Sequence, residues 1–228
     1  MSIGSSINAE VRRELERVEP IASGMELSIN IKVMDKDKNV VRELNVPGNS
    51  FLMNFMYMVY AVLTFSNPTV KDTSGSPVPL TLYRVKKTVR MTIEDRKIDY
   101  DRYQAGFIAW ANKEDDSHGI LIGSGTKIVD PNDYTLSSKI PHGIGSGKVL
   151  YLSCSVGSTE VIGNMARLTI SRSFLNHSGS DITVTELGLA VRQFNPETNI
   201  LLIRDLIPAV TVPNDYTLYV TYSLVVSV

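Results

Sequence analysis

The side chains of this chain that could carry chemistry are few and scattered. His118, His142 and His177 each stand beside Gly or Ser in segments that read as loops. None has a second ligand nearby in sequence at metal-binding spacing, so exposed loop histidines, with no metal and no cofactor, are expected. A hydrolase built from these histidines and loop aspartates would need them to converge in three dimensions. Cys154 is the only cysteine, which excludes an intrachain disulfide and a multi-thiolate zinc site. It falls on the apolar parity of "LYLSCSV", where Leu150, Leu152, Cys154 and Val156 are expected to share one buried face. A thiol held there is an inert core group rather than a nucleophile.

Two short motifs imitate binding loops and fail on inspection. "DKDKNV" places Asp35, Asp37 and Asn39 as an EF-hand loop would. The glycine needed at its sixth position and the glutamate needed at its twelfth are Val40 and Val46. A hairpin turn is expected instead. "GIGSGK", residues 143–148, resembles a phosphate loop, but His142 and Val149 occupy positions that require Gly and Ser or Thr. A strand follows it rather than a helix N-terminus, so its glycines are expected to serve tight turns and positive φ angles.

Two surface clusters remain. Arg84, Lys86 and Arg90 make a basic stripe on one strand face, with Glu94, Asp95, Asp99 and Asp101 close behind. This reads as a solvated face or a contact surface for an acidic neighbour. Tyr100, Tyr103 and Trp110 form an aromatic group that would serve a carbohydrate-binding platform if exposed.

The elements that must position these residues follow from patterning. The chain has 228 residues, 43% hydrophobic and 21% charged, within the range of an ordinary globular protein with one core. A net charge of −1 argues against a dedicated nucleic-acid binder. The first twenty residues lack the apolar run of a secretory signal, and a reducing cytoplasm is the expected site of synthesis. Ile7, Val11, Leu15 and Val18 follow helical spacing until Pro20, which makes residues 1–20 an amphipathic helical arm with Val11 and Leu15 as candidate contacts.

"MELSINIKV" alternates strictly, with Met25, Leu27, Ile29, Ile31 and Val33 on the apolar side. "DKDKN" turns the chain and "VVRELNV" returns it. "SFLMNFMYMVYAVLTF" is too short to span a membrane. It reads as a buried methionine-rich helix inserted at about 50–65, whose Met53 and Met56 are candidate subunit contacts. Residues 66–79 read as a loop and a candidate sub-boundary in a single domain covering 21–228.

Beyond Gly119 the pattern is one of short strands. "ITVTELGLAV" changes phase, so that Ile182 and Val184 face one way while Leu187, Leu189 and Val191 need the other. A bulge near Glu186 reconciles them. The last strand places Tyr216, Leu218, Val220, Tyr222, Leu224, Val226 and Val228 on one side. The architecture expected is mainly β: an antiparallel sandwich, Ig-like or jelly-roll, with the terminal helix and the buried helix appended. The hexapeptide "PNDYTL" occurs at 131–136 and again at 213–218. It reads as a turn leading into a strand, used twice, rather than as a mark of duplication.

Three segments carry a family resemblance: "GSGTKIVDPNDYTLSSKIPHGIGSGKVLY", "ISRSFLNHSGSDITVTELGLAVR" and "VTVPNDYTLYVTYSLVV". Their succession of glycine-rich loop, aspartate turn, "I-x-H-G" loop, hairpin ending in "E-x-G-L" and long final strand resembles virion structural proteins of tailed bacteriophages and prophages. It covers roughly the last hundred residues. The resemblance implies a non-enzymatic capsid, neck or tail component in the virion, assembled in the host cytoplasm. It implies copies of itself and other virion proteins as partners, and neither nucleic acid nor membrane. A carbohydrate- or receptor-binding module of a host-recognition device is the alternative.

Overall fold

The computed structural model describes residues 24–48, 50–64, 66–81, 85–87, 102–104, 106–194 and 196–227. The expected helical arm at 1–20, with Val11 and Leu15, lies outside the described residues, as do Arg84, Arg90 and Tyr100. The side chains of Lys86 and Tyr103 lie outside them too.

The fold is mainly β and its paired strands are antiparallel. β1 (Gly24–Met34) and β2 (Val40–Gly48) form the expected first hairpin. Asp35 Oδ1 accepts from the backbone of Asp37 and Asn39, and Lys38 adopts φ 67°, so "DKDKN" is a side-chain-locked turn. One sheet runs β10 (Glu160–Ile162), β11 (Met165–Leu175), β14 (Thr217–Ser227), β1, β2, with β9 (Leu150–Val156) sharing the edge of β11. The second runs β13 (Glu197–Val212), β12 (Ile182–Phe194), β7 (Phe107–Ile108), with β8 (Gly119–Gly123) also on β12.

The two sheets share one core. From the first come Ile29, Ile31, Val33, Leu218, Val220 and Phe174; from the second, Ile120, Ile122, Leu187, Leu189, Ile200 and Leu201. Cross-strand rows on the inner face of the first sheet follow from strict register: Val33–Leu218–Phe174, Ile31–Val220–Arg172, Ile29–Tyr222–Ile170. Each fully buried aliphatic here stabilises the fold by roughly 1.5–3 kcal/mol. On the wet face of β1, Asn30 Nδ2 donates to Glu43 Oε1 and Asn45 Oδ1 across to β2.

Several expectations need correction. In β9 the buried residues are Tyr151 and Cys154, while Leu152 and Val156 are exposed. The pairing with β11 skips a residue between Arg172 and Phe174, and this bulge rotates Tyr151 inward. In β12 the register shifts between Val184 and Glu186, as the phase change required, and shifts again between Leu189 and Ala190. The expected loop over 66–79 carries a small hairpin, β3 (Thr69–Lys71) with β4 (Pro77–Pro79), and Val70 is buried in the common core. β5 (Val85–Lys87) pairs with β6 (Arg102–Gln104).

The inserted helix, α1 (Met53–Thr64), forms where expected but is not buried. Phe51 and Leu52 first bridge to β13, with the Leu52 amide donating to the Leu202 carbonyl. The helix then lies against β13 by one side only. Asn54, Phe55, Met58 and Ala61 turn inward, and Asn54 Nδ2 donates to the Lys71 and Leu201 carbonyls. Among the described residues no helix is long and apolar enough to cross a membrane.

Candidate functional site

Glu186 sits at the phase change of β12, fully buried, facing Arg204 of β13, also fully buried. Glu186 Oε2 accepts from Arg204 Nε (3.0 Å) and Nη2 (2.9 Å). Glu186 also gathers the loop that follows β8, accepting from the amides of Gly125 (3.1 Å), Ser137 (3.1 Å) and Ser138 (2.6 Å). Arg204 completes its coordination with Asp133 Oδ2 (2.7 Å) and the Lys127 carbonyl (2.8 Å). Burial pushes the Asp133 carboxyl up, but the Asp130 amide, Lys127 and Arg204 outweigh it and hold it below the ordinary carboxylate value. The glycines of "GSGTK" exist for this cluster. A β-carbon at Gly123 would stand 2.7 Å from the Ser138 carbonyl, and one at Gly125 would overlap Ser137 Oγ and Glu186 Oε1.

Arg172 of β11 forms a second cluster. Its five N–H groups meet five backbone carbonyls: Leu152 (2.8 Å), His118 (2.9 Å), Ile120 (3.1 Å), Asn112 (3.3 Å) and Asp115. The guanidinium lies 4.7 Å from the Tyr151 ring centroid and faces Phe174. An inward arginine of one sheet thus holds the 112–120 segment and β8 of the other. Burial lowers the Arg172 pKa, raises that of the Tyr151 phenol and raises that of the Cys154 thiol. The cysteine is therefore the inert core thiol expected.

Two of the histidines adjoin the Arg172 cluster and the third stands apart. His118, expected in the open, is buried. Its Nε2 donates to the Trp110 carbonyl (3.0 Å), and Ser117 Oγ lies 3.0 Å from Nδ1 while donating to Asp115 Oδ1. Serine, histidine and aspartate thus converge, but the Ser117 proton goes to Asp115 rather than to Nδ1, and Nε2 is held by the Trp110 carbonyl, so the three side chains tie the loop together. His142 Nδ1 accepts from the Tyr151 amide, and the His142 amide donates to Asp116 Oδ2. His177 is exposed and donates from Nδ1 to Asp215 Oδ1 at 2.6 Å; neighbouring Ser178 Oγ is turned to the Ser180 carbonyl. Among the described residues no group of three or more His, Cys, Asp or Glu could hold a metal ion.

His118 gives a pH dependence whose sign is fixed. Burial, the largest influence, lowers its pKa below 6.5 against the opposing pull of Asp115 and the Trp110 carbonyl. Below that pH the unfolded chain takes up a proton that the folded chain resists. The site's stability is complete above 6.5 and declines as pH falls toward the lowered value. Urea midpoints measured between about pH 7.5 and about pH 5 are expected to fall, and His118→Gln is expected to flatten that fall.

The two copies of "PNDYTL" do different work. In the first, Asp130 and Asp133 close a turn, Asp133 binds Arg204, and Leu136 enters the core, but no strand follows. In the second, Asn214 Oδ1 accepts from the Gly179 amide, Asp215 pairs with His177, and β14 follows. Only the second is a turn into a strand. In "GIGSGK", Gly143, Gly145 and Gly147 all take positive φ, as expected of a turn.

The surface offers three features of another kind. α1 carries no charged residue, and its outward stripe of Met53, Met56, Tyr57, Tyr60 and Leu63 is exposed, Leu63 by 76%. A surface helix ordinarily turns a charged face to water; here the buried face holds the asparagine and the wet face is apolar. Trp110 is half-exposed, while the side chains of Tyr100 and Tyr103 lie outside the described residues, so the aromatic group is seen only in that one member. A cleft of about 330 Å³ with a mixed lining places Asp116, Ser117, Lys139 and Asn199 beside Leu121 and Leu201.

The chain matches no protein-family model, no curated protein and no solved structure.

Proposed function

We propose that this chain is a non-enzymatic structural subunit of a viral particle, acting through protein–protein contacts in capsid, neck or tail assembly. In this reading the two sheets are the layers of an antiparallel sandwich, Ig-like or jelly-roll. Copies of the chain and other virion proteins are its partners. The observation that supports it best is the charge-free outer face of α1, where Met53 and Met56 join Tyr57, Tyr60 and Leu63. An exposed stripe of this kind on a β scaffold reads as a contact surface. The buried arginine clusters support the same reading, since they hold loops still rather than presenting reactive groups.

The expected solution state is a symmetric oligomer joined through α1. Tyr60→Asp with Leu63→Asp is expected to weaken that association at least tenfold by analytical ultracentrifugation. Because both positions face solvent in the single chain, the same change is expected to move its unfolding free energy by no more than about 0.5 kcal/mol. A wild-type chain that stays monomeric at high concentration, or purified particles lacking the protein by mass spectrometry, would overturn the reading.

The second reading is a carbohydrate- or receptor-binding module. Half-exposed Trp110 and the mixed cleft lined by Asp116 and Lys139 favour it. Glycan-array binding that is abolished by Trp110→Ala would move the conclusion there.

A further inference from the structure

Among the described residues the shared core is open at one end. Moving along the inner face of the first sheet, the rows at Val33 and Ile31 are fully buried. In the row Leu27–Leu224–Leu168, Leu224 and Leu168 are only half-buried. In the row Met25–Val226–Ala166 all three are exposed, Met25 by 50% and Val226 by 43%. Between the sheets at this end lies a wholly apolar cavity of about 240 Å³. Leu27, Leu168 and Leu224 line it on one side, Val191 and Leu202 on the other, and Phe55 of α1 on its flank. It is larger than the ~150 Å³ apolar cavity that suffices to hold benzene. Apolar rows continuing outward beside a space of that size are a surface that lacks its cover among the described residues.

The chain enters the sheet at the same place. Gly24 pairs with Ser227, one residue before the exposed Met25 row. Upstream, Ile7, Val11, Leu15 and Val18 carry the only apolar stripe of the first twenty residues at helical spacing, and Arg12, Arg13, Glu14, Glu16 and Arg17 take the other side. We propose that this stripe, of the same chain, docks across the Met25 and Leu27 rows and closes the open end of the core.

The dimensions agree. Eleven residues, the distance from Ile7 to Val18, would span about 17 Å if helical, against about 10 Å across three strands. The six residues from Val18 to Gly24 reach up to about 20 Å. A tether this short gives a millimolar-scale effective concentration, which favours the chain's own segment over a second copy. The other long segment outside the described residues, 88–101, lies between β5 and β6, and the stretch that holds it leaves and rejoins the fold at Thr81 and Phe107, both tied to Gln193 of β12. This inference goes beyond the structural-subunit reading and stands on different residues from the outer face of α1.

The test uses the full chain with Leu15→Cys and Met58→Cys, since Met58 lines the cavity and Cys154 is buried. A short bis-maleimide, tolerant of register, is expected to join them within one chain at least tenfold faster than it joins Leu15→Cys to Ile144→Cys at the opposite end. Equal rates would overturn the proposal. So would a product found only between two differently tagged chains, which would assign the surface to a second copy. Faster joining of Met91→Cys to Met58→Cys would assign it to the internal segment and overturn it as well. Independently, Val11→Asp with Leu15→Asp is expected to raise binding of an apolar dye severalfold while the strand circular dichroism is retained; unchanged dye binding would overturn the proposal. Sedimentation of the same variants reads the α1 oligomer separately, so failure of either idea is distinguishable from failure of the other.

Discussion

Replacing Glu186 with alanine is expected to lower the unfolding free energy by about 3–5 kcal/mol, a large share of the stability of a domain of this size. The reason is what the substitution strands. Arg204 is fully buried, and Glu186 supplies two of its bonds. Without that carboxylate a guanidinium remains in the core with only Asp133 as a charged partner among the described residues. The amides of Gly125, Ser137 and Ser138 lose their acceptor at the same time. The loss should therefore be local as well as global. Limited proteolysis is expected to cut the 124–139 loop first, at denaturant concentrations where the sheets are still protected from exchange. Removing both charges with Glu186→Leu and Arg204→Met is expected to recover part of the loss, because two uncharged groups leave no unpaired ion. A variant at Glu186 as stable as wild type would show that the cluster is not what holds this loop.

Replacing Arg172 with methionine is expected to cost about 4 kcal/mol or more. Methionine matches much of the side-chain length yet satisfies none of the five carbonyls that Arg172 holds. Arg172→Lys separates charge from geometry. An ammonium keeps the charge but has three donors instead of a planar fork of five. It is expected to recover less than half of the loss in urea titrations. Amide exchange over residues 112–120 is expected to speed up in both variants before the core of β11 is affected. If lysine were fully tolerated, charge rather than the carbonyl cage would be the operative feature.

Neither arginine was legible as a core residue in the sequence, and the reason is physical. Alternation reports which face of a strand is apolar, and arginine on that face counts as an interruption. Arg172 falls on the same parity as Ile170 and Phe174, and its neutralising partners are carbonyls, which have no letter in the sequence. Glu186 left a trace: the change of phase in "TVTELGLAV" required a bulge at that residue, and the register does shift there. What the phase could not say is that the displaced side chain points inward to an ion partner eighteen residues away.

The strictly alternating strands were the most legible parts. β1 and β14 were readable to within a residue or two because one face is buried along most of their length. α1 shows the opposite case. Its position followed from its composition, but its burial did not. Apolar residues on every side say that water is unfavourable on every side, and they do not say which surface provides the cover. Likewise Tyr151 entered the core only through a bulge in β9 that no local pattern marks.

The edges of the sheets limit how copies of this chain can join. β2 ends the six-stranded sheet and carries Arg42, Glu43 and Pro47 along its nine residues. On the opposite margin β9 and β10 divide the length of β11 between them, and the outer side of β13 is met by Phe51 and Leu52. A charged and proline-bearing rim, a broken one and a capped one all discourage main-chain templating of one sheet by the next. Under the proposed assembly, growth would be steered away from fibrils and toward discrete joints made by side chains, where a single residue change can set the geometry.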